Sequence, residues 1–386
     1  MATHMVAVQI VFWAIVGLVV YIYAGYPVLV WAWSRIRPHA WSRDSVARDI
    51  SVIVVVHDES ARIRRRLRNL LSTDYPSDRM EVIVACDGAT DATADVARQF
   101  SGRGVRTIEF ARRRGKSAVL DEVVPRARGE IVVLADVRQR FKKNTLHNLV
   151  AGFADARVGA VSGELKLMNS KGKSQIGEGA GFYWRYEKFI RRNEASVDST
   201  IGATGAVYAI RKSLFRRIPP VTILDDVLIP MQIVEQGYRV VFEPKAVAYD
   251  SAVSLAKSEF VRKTRTIGGN FQLFMGHPRL LLPWRNRIWL QTISHKFLRL
   301  MVPGLLLLAF VINMGLLQNH FYRFTLAIQV LFYAAALAGR VMRNMPWNPK
   351  LLYLPYTFCV LNWATVIAFV RLLAGRQSVV WDKTAG

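Results

Sequence analysis

The chain of 386 residues is 52% hydrophobic and carries 53 Lys+Arg against 28 Asp+Glu, a formal net charge of +25. A mean hydropathy of +0.18 with that charge excludes a disordered chain and an acidic secreted protein. Two cysteines, Cys86 and Cys359, exclude a disulfide scaffold and a four-cysteine zinc site.

Residues 5–33 contain no charged side chain. About 20 apolar residues suffice to cross a bilayer, so this stretch reads as a retained N-terminal anchor. Arg35, Arg37 and Arg43 follow it, which puts the next segment on the cytoplasmic side. From 45 to 280 short β-branched runs alternate with charged amphipathic stretches. ISVIVVV (50–56), EVIVAC (81–86), VRTIEF (105–110) and EIVVLAD (130–136) read as strands covered on both faces. Helical patterns fall at about 59–71, 91–100 and 116–127. This alternation predicts an α/β, doubly wound, mainly parallel sheet. Residues 281–300 mix Trp and Leu with Arg and Lys and read as an interfacial helix. Three more spans are expected near 300–317, 323–339 and 351–373. Arg340, Arg343 and Lys350 favour a cytoplasmic loop before the last span. Four spans would then put the C-terminus outside, whereas Arg371, Arg376 and Lys383 favour inside; the charge pattern leaves this open. The expected domains are an anchor (1–40), a cytoplasmic domain (41–278) and a membrane region (279–386).

Ligands of doubly wound sheets bind at the carboxyl ends of the strands. Asp58 and Glu59 follow the first strand, Asp87 the second, and Asp136 closes the fourth, so carboxylates collect along one edge. Such a set suits a divalent cation, ribose hydroxyls or a base edge that donates hydrogen bonds. ARRRGKSAVLD (111–121) adds cations at a predicted helix start, where phosphate is favoured. It is not a P-loop, because Phe110 stands where the first glycine would be. The arginine run 62–68 reads as a solvated helix face near an anionic bilayer. His57 reads as a strand-end packing residue. Asp225 and Asp226 precede the apolar run VLIPMQIV, either as a base and its neighbour or as a helix cap. Charge alone permits nucleic acid, but the basic residues lie beside membrane spans, and that reading is rejected.

The ordered segments VVHDES, ACDGATDAT, RRRGKSAVL, GEIVVLAD, GATGAVYAIR, LDDVLIP and VRKTRT resemble the family 2 glycosyltransferases. The likeness is to their membrane-integrated branch, which includes cellulose, chitin, hyaluronan and poly-N-acetylglucosamine synthases. It spans about 50–275 plus the flanking spans. The resemblance implies a GT-A fold, inversion at the sugar anomeric carbon, a nucleotide-diphosphate sugar donor such as a UDP-sugar, and Mg²⁺ or Mn²⁺. It implies Asp87 on the nucleobase, Lys116 near the nucleotide, Asp136 as first aspartate of a D-x-D motif and metal ligand, and Asp226 as general base. Arg262 and Arg265 would close over diphosphate and acceptor, beside Asp225.

Two departures stand out. Arg138 replaces the second D-x-D aspartate, unless the alignment shifts by two so that Asp136 takes the second place and Leu134 the first; fixed charge from Arg138 would weaken metal dependence. Thr266 replaces a tryptophan that packs beside the acceptor in processive members. Trp184 either supplies that stacking face or is an interfacial anchor or core residue. The resemblance implies an enzyme of the inner (plasma) membrane, with a cytoplasmic catalytic domain, that extends a glycan. The alternatives are transfer of one sugar to a polyprenyl-phosphate or other membrane lipid, with Lys296 and Arg299 near the lipid phosphate, and a non-catalytic assembly subunit.

Overall fold

The structure is a computed structural model and describes residues 2–168, 178–251, 256–342 and 350–375. Arg343, Arg376 and Lys383, on which the C-terminal topology was argued, lie outside the described residues.

One eight-stranded sheet organises the middle of the chain, in the order β3-β2-β1-β4-β7-β6-β8-β5. The parallel half holds β1 (Ile50–Val56), β2 (Met80–Asp87), β3 (Val105–Phe110) and β4 (Ile131–Ala135), the four expected strands. The other half holds β5 (Arg140–Phe141), β6 (Val158–Met168), β7 (Val207–Arg211) and β8 (Arg239–Ser251). Here β7 runs antiparallel to both β4 and β6, so the sheet is mixed.

Alternation along each strand divides the core. Val52 and Val54 pack beneath α2 (Ser60–Leu71), α3 (Thr93–Arg98) and α5 (Thr145–Ala151). Ile53, Ile83 and Leu134 pack beneath α4 (Lys116–Val123) and the helix Asp225–Glu235 on the opposite face. Each fully buried Val, Leu or Ile contributes about 1.5–3 kcal/mol, which makes a sheet covered on both faces a rigid base for its loops.

The run 62–68 is not wholly solvated. Arg66 is 2% exposed, because it lies three residues after Ile63 and shares the buried face with Leu67 and Leu70. Its guanidinium stacks on Phe141 and donates to the Gln139 carbonyl at 2.8 Å. It thereby holds the chain just after Asp136.

Among the described residues four helices are long and apolar enough to cross a membrane: α1 (His4–Ile36), α9 (Trp289–Gly315), α10 (His320–Met342) and α11 (Tyr353–Leu373). The stretch expected as an interfacial helix is instead irregular through Ile288, after a short turn at Pro278–Leu281, and only its second half is helical, as the start of α9. The remaining helices are α6 (Glu178–Val197), α7 (Asp225–Glu235) and α8 (Ala256–Gly276). Val30 of α1 packs on Ile190 of α6, and Phe271 and Phe274 of α8 pack on Leu300 and Ala368. A buried polar chain adds to these contacts. Tyr26 donates to Glu194 at 2.6 Å, and His295 lies 2.8 Å from Glu194 and 3.0 Å from Glu187. Arg299 closes the chain on Glu187. Helices α6 and α8 are thus fixed between the sheet and the apolar helices.

Candidate active site

Asp136 follows β4, and Lys116 opens α4 after Gly115, whose φ of +90° is open to glycine at little cost. The Lys116 Nζ lies 3.0 Å from Asp136 Oδ1 and 3.5 Å from Asp225 Oδ2. Asp225 and Asp226 form the first turn of α7, where the helix dipole favours negative charge. Neither makes a side-chain cap bond, and Leu224 occupies the cap position, so capping does not account for the pair. Burial, and then the neighbouring charge of Asp225, push the Asp226 carboxyl up to about 6. Lys116 and Arg191 pull in the opposite direction.

The loop 202–205 holds Asp226 in place. Ala203 N–H donates to the Asp226 carbonyl at 2.7 Å. A Cβ added at Gly205 would stand 2.7 Å from Asp226 Oδ2. Gly269 does the same for α8: a Cβ there would stand 2.6 Å from Leu224 Cγ. This close crossing brings Arg265 to the site, where its charge interacts with Asp225, Asp226 and Asp136 while burial lowers its pKa.

Lys116, Asp136, Asp225, Asp226 and Arg265 therefore converge. The other expected residues stand apart from this group. Asp87 is 3% exposed, and its two oxygens accept the Arg114 and Gly115 N–H groups at 2.7 and 2.8 Å. It braces the loop that leads to Lys116. His57 Nδ1 lies 2.8 Å from the Asp87 carbonyl, as a strand-end packing residue would. Arg138 turns to Asp250, with Nη2 3.7 Å from Oδ2. Trp184 lies under Lys263, whose Nζ is 5.5 Å from its ring. Arg262 is partly buried one turn before Thr266, which is exposed. Two residues were missed in the sequence. Arg191 donates to Thr204 Oγ1 at 3.2 Å, and the Tyr208 hydroxyl is buried beneath the three carboxylates with no hydrogen-bond partner among the described residues. A charged residue in an amphipathic helix and a tyrosine in a strand carry no local signal of such a position.

Among the described residues no three His, Cys, Asp or Glu side chains group to hold a metal. Magnesium-like ions can nevertheless bind through one or two carboxylates plus substrate phosphates. Asp136, with a side chain 23% exposed, offers one such carboxylate. The donor set thus fits an ion carried in by a diphosphate, not a cage of protein ligands.

The fold is GT-A-like. Residues 51–218 match the family model described as Glycosyl transferase family 2, so this segment carries a domain of that family. It is 25% identical over 242 residues to a probable glycosyltransferase, YdaM, of Bacillus subtilis, covering 57% of this chain and 55% of the relative. It is 23% identical over 208 residues to the poly-beta-1,6-N-acetyl-D-glucosamine synthase of Staphylococcus epidermidis, covering 52% and 49%. The chain thus spans about half the length of these curated relatives. Over 126 residues it is 29% identical to a beta-monoglucosyldiacylglycerol synthase of Nostoc sp., covering 32% and 27%. The mannosyltransferase PcManGT of Pyrobaculum calidifontis, solved with GDP-Man and Mn²⁺, superposes with a TM-score of 0.70 at 22% identity, covering 95% of this chain and 99% of that one.

Proposed function

We propose that this protein is an inverting, membrane-integrated glycosyltransferase that moves a sugar from a UDP-sugar to a hydroxyl of a glycan acceptor and so extends an oligosaccharide or polysaccharide. The observation that carries the chemistry is Asp226: a carboxyl with a pKa of about 6 beside two cations. Such a group accepts a proton efficiently near neutral pH.

In this reading Asp226 takes the proton of the acceptor hydroxyl. The acceptor oxygen then forms its bond to the anomeric carbon as the bond from that carbon to the diphosphate breaks. The electron pair leaves with the diphosphate. Lys116 and Arg265 offset the developing negative charge. A divalent ion on Asp136, when bound, would supply further neutralisation of the diphosphate. Asp87 positions the 111–115 loop against the nucleotide, and Asp225 holds the Asp226 pKa high. Trp184, with Lys263 above it, offers a flat face beside the acceptor path. The apolar helices would seat the enzyme in the plasma membrane with the sheet on the cytoplasmic side, where nucleotide sugars are made.

A second reading is transfer of one sugar to a lipid-linked acceptor. The exposed Thr266 favours it, because no aromatic ring stands there to hold a growing glycan. The deciding experiment incubates the purified protein in nanodiscs with labelled UDP- and GDP-sugars and sizes the product. A ladder of polymer supports extension, a single labelled lipid supports the second reading, and no transfer from any donor defeats both.

A further inference from the structure

A second cavity lies away from the aspartates, between the end of α1 and α6. It has a volume of about 640 Å³ and is lined by Trp31, Arg35, Arg185, Lys188, Phe189 and Arg192, among others. None of the described residues that line it is acidic. Glu164, buried beside it, pairs with Lys188 at 2.6 Å and Arg192 at 3.8 Å, and so cancels one of the four positive charges. Arg35 and Arg185 have no acidic partner within 4 Å among the described residues. A hydrogen bond of 2.7 Å from Ser34 to Asn193 ties the two walls together, so the groove is a fixed feature of the helix pair.

Its depth relative to a bilayer follows from helix length. Helix α1 runs for 33 residues, about 50 Å at 1.5 Å per residue, against a hydrocarbon core of about 30 Å. The last turns of α1 therefore emerge at headgroup level. Exposed Trp31 and Phe189 suit that level, where aromatic side chains gather. A net excess of three cations between two aromatic residues at this depth fits a phosphate attached to acyl chains.

We propose that this groove binds the phosphate headgroup of an anionic phospholipid. Arg35 and Arg185 bind the phosphate, and Trp31 and Phe189 flank the glycerol and upper acyl chains. This site is independent of the reading of the transfer reaction. Because α6 also carries Arg191, which faces Thr204 beside Asp226, the bound headgroup would steady one wall of the candidate active site.

The test uses the full chain in neutral detergent. Thermal midpoints are measured against dioctanoyl-phosphatidylglycerol, dioctanoyl-phosphatidylcholine and inorganic phosphate, with native mass spectrometry to count retained lipid. Phosphatidylglycerol should raise the midpoint saturably, and the other two should not. Arg35→Gln with Arg185→Gln should weaken the apparent phosphatidylglycerol affinity tenfold or more. Arg35→Lys with Arg185→Lys should retain most of it, which keeps the test valid if the Gln pair fails to fold. Equal shifts with phosphatidylcholine, an undiminished shift in the Gln pair, or reproduction of the shift by inorganic phosphate would each overturn the proposal.

Discussion

Asp226→Asn keeps the shape of the side chain and removes its basicity. The carboxyl sits at about 6, so roughly half of it is ionised at pH 6 and about a tenth at pH 5. Wild-type kcat/KM should therefore climb about tenfold from pH 5 to a plateau above pH 7. Loss of a positioned base costs about 10²–10⁴-fold, so Asp226→Asn should lower kcat by that range while donor affinity changes little. The two neighbours move the midpoint in opposite directions. Asp225→Asn removes a like charge and should shift it to lower pH; Lys116→Met removes an opposite charge and should shift it to higher pH. Stability has its own sign. The folded pKa lies above the unfolded value, so the contribution is complete below about pH 4 and is lost as pH rises through 6. Asp226→Asn should thus melt higher than wild type at pH 7.5. The assay is label transfer from the donor found in the sugar panel, with donor binding by calorimetry at each pH. Turnover of Asp226→Asn close to that of wild type, or a flat profile from pH 5 to 8, would refute the reasoning.

Gly205→Ala puts a Cβ 2.7 Å from Asp226 Oδ2, so the carboxylate must move. Activity should fall about 10²-fold, the usual effect of a displacement near 1 Å, with the melting temperature little changed. Asp136→Asn should raise the Mn²⁺ concentration for half-maximal activity tenfold or more, read by metal titration after chelator treatment; an unchanged value would remove Asp136 from metal binding. Glu194→Ala leaves Tyr26 and His295 without their shared buried acceptor. It should destabilise the protein by about 3–5 kcal/mol, visible as a lower midpoint in nanodisc unfolding.

The first four strands were legible because burial on both faces leaves continuous β-branched runs, and they match β1 to β4. The second half of the sheet was not. Strand β7 pairs with β4, and β6 with β8, each across about 70 intervening residues, which no local pattern records. Arg66 shows the same limit. The other arginines of the run are more exposed, and its own burial is met by the Phe141 ring and the Gln139 carbonyl, which the fold brings to it. Asp87 was visible as an acid at a strand end. That its oxygens are taken up by two loop amides follows from the path of 111–115, not from its type.

What the sequence determined by itself was the α/β plan flanked by long apolar segments and the residue types gathered in the candidate site, because apolar length, β-branched runs and motif order are local properties. The tertiary structure decided which acids share one environment. Helix α7 brings Asp225 and Asp226 to the Lys116 that already faces Asp136, and α8 adds Arg265 across the gap left by Gly269. A carboxyl becomes a base near pH 6 only through burial and neighbouring charge, and both are set by helices that meet far apart in the chain.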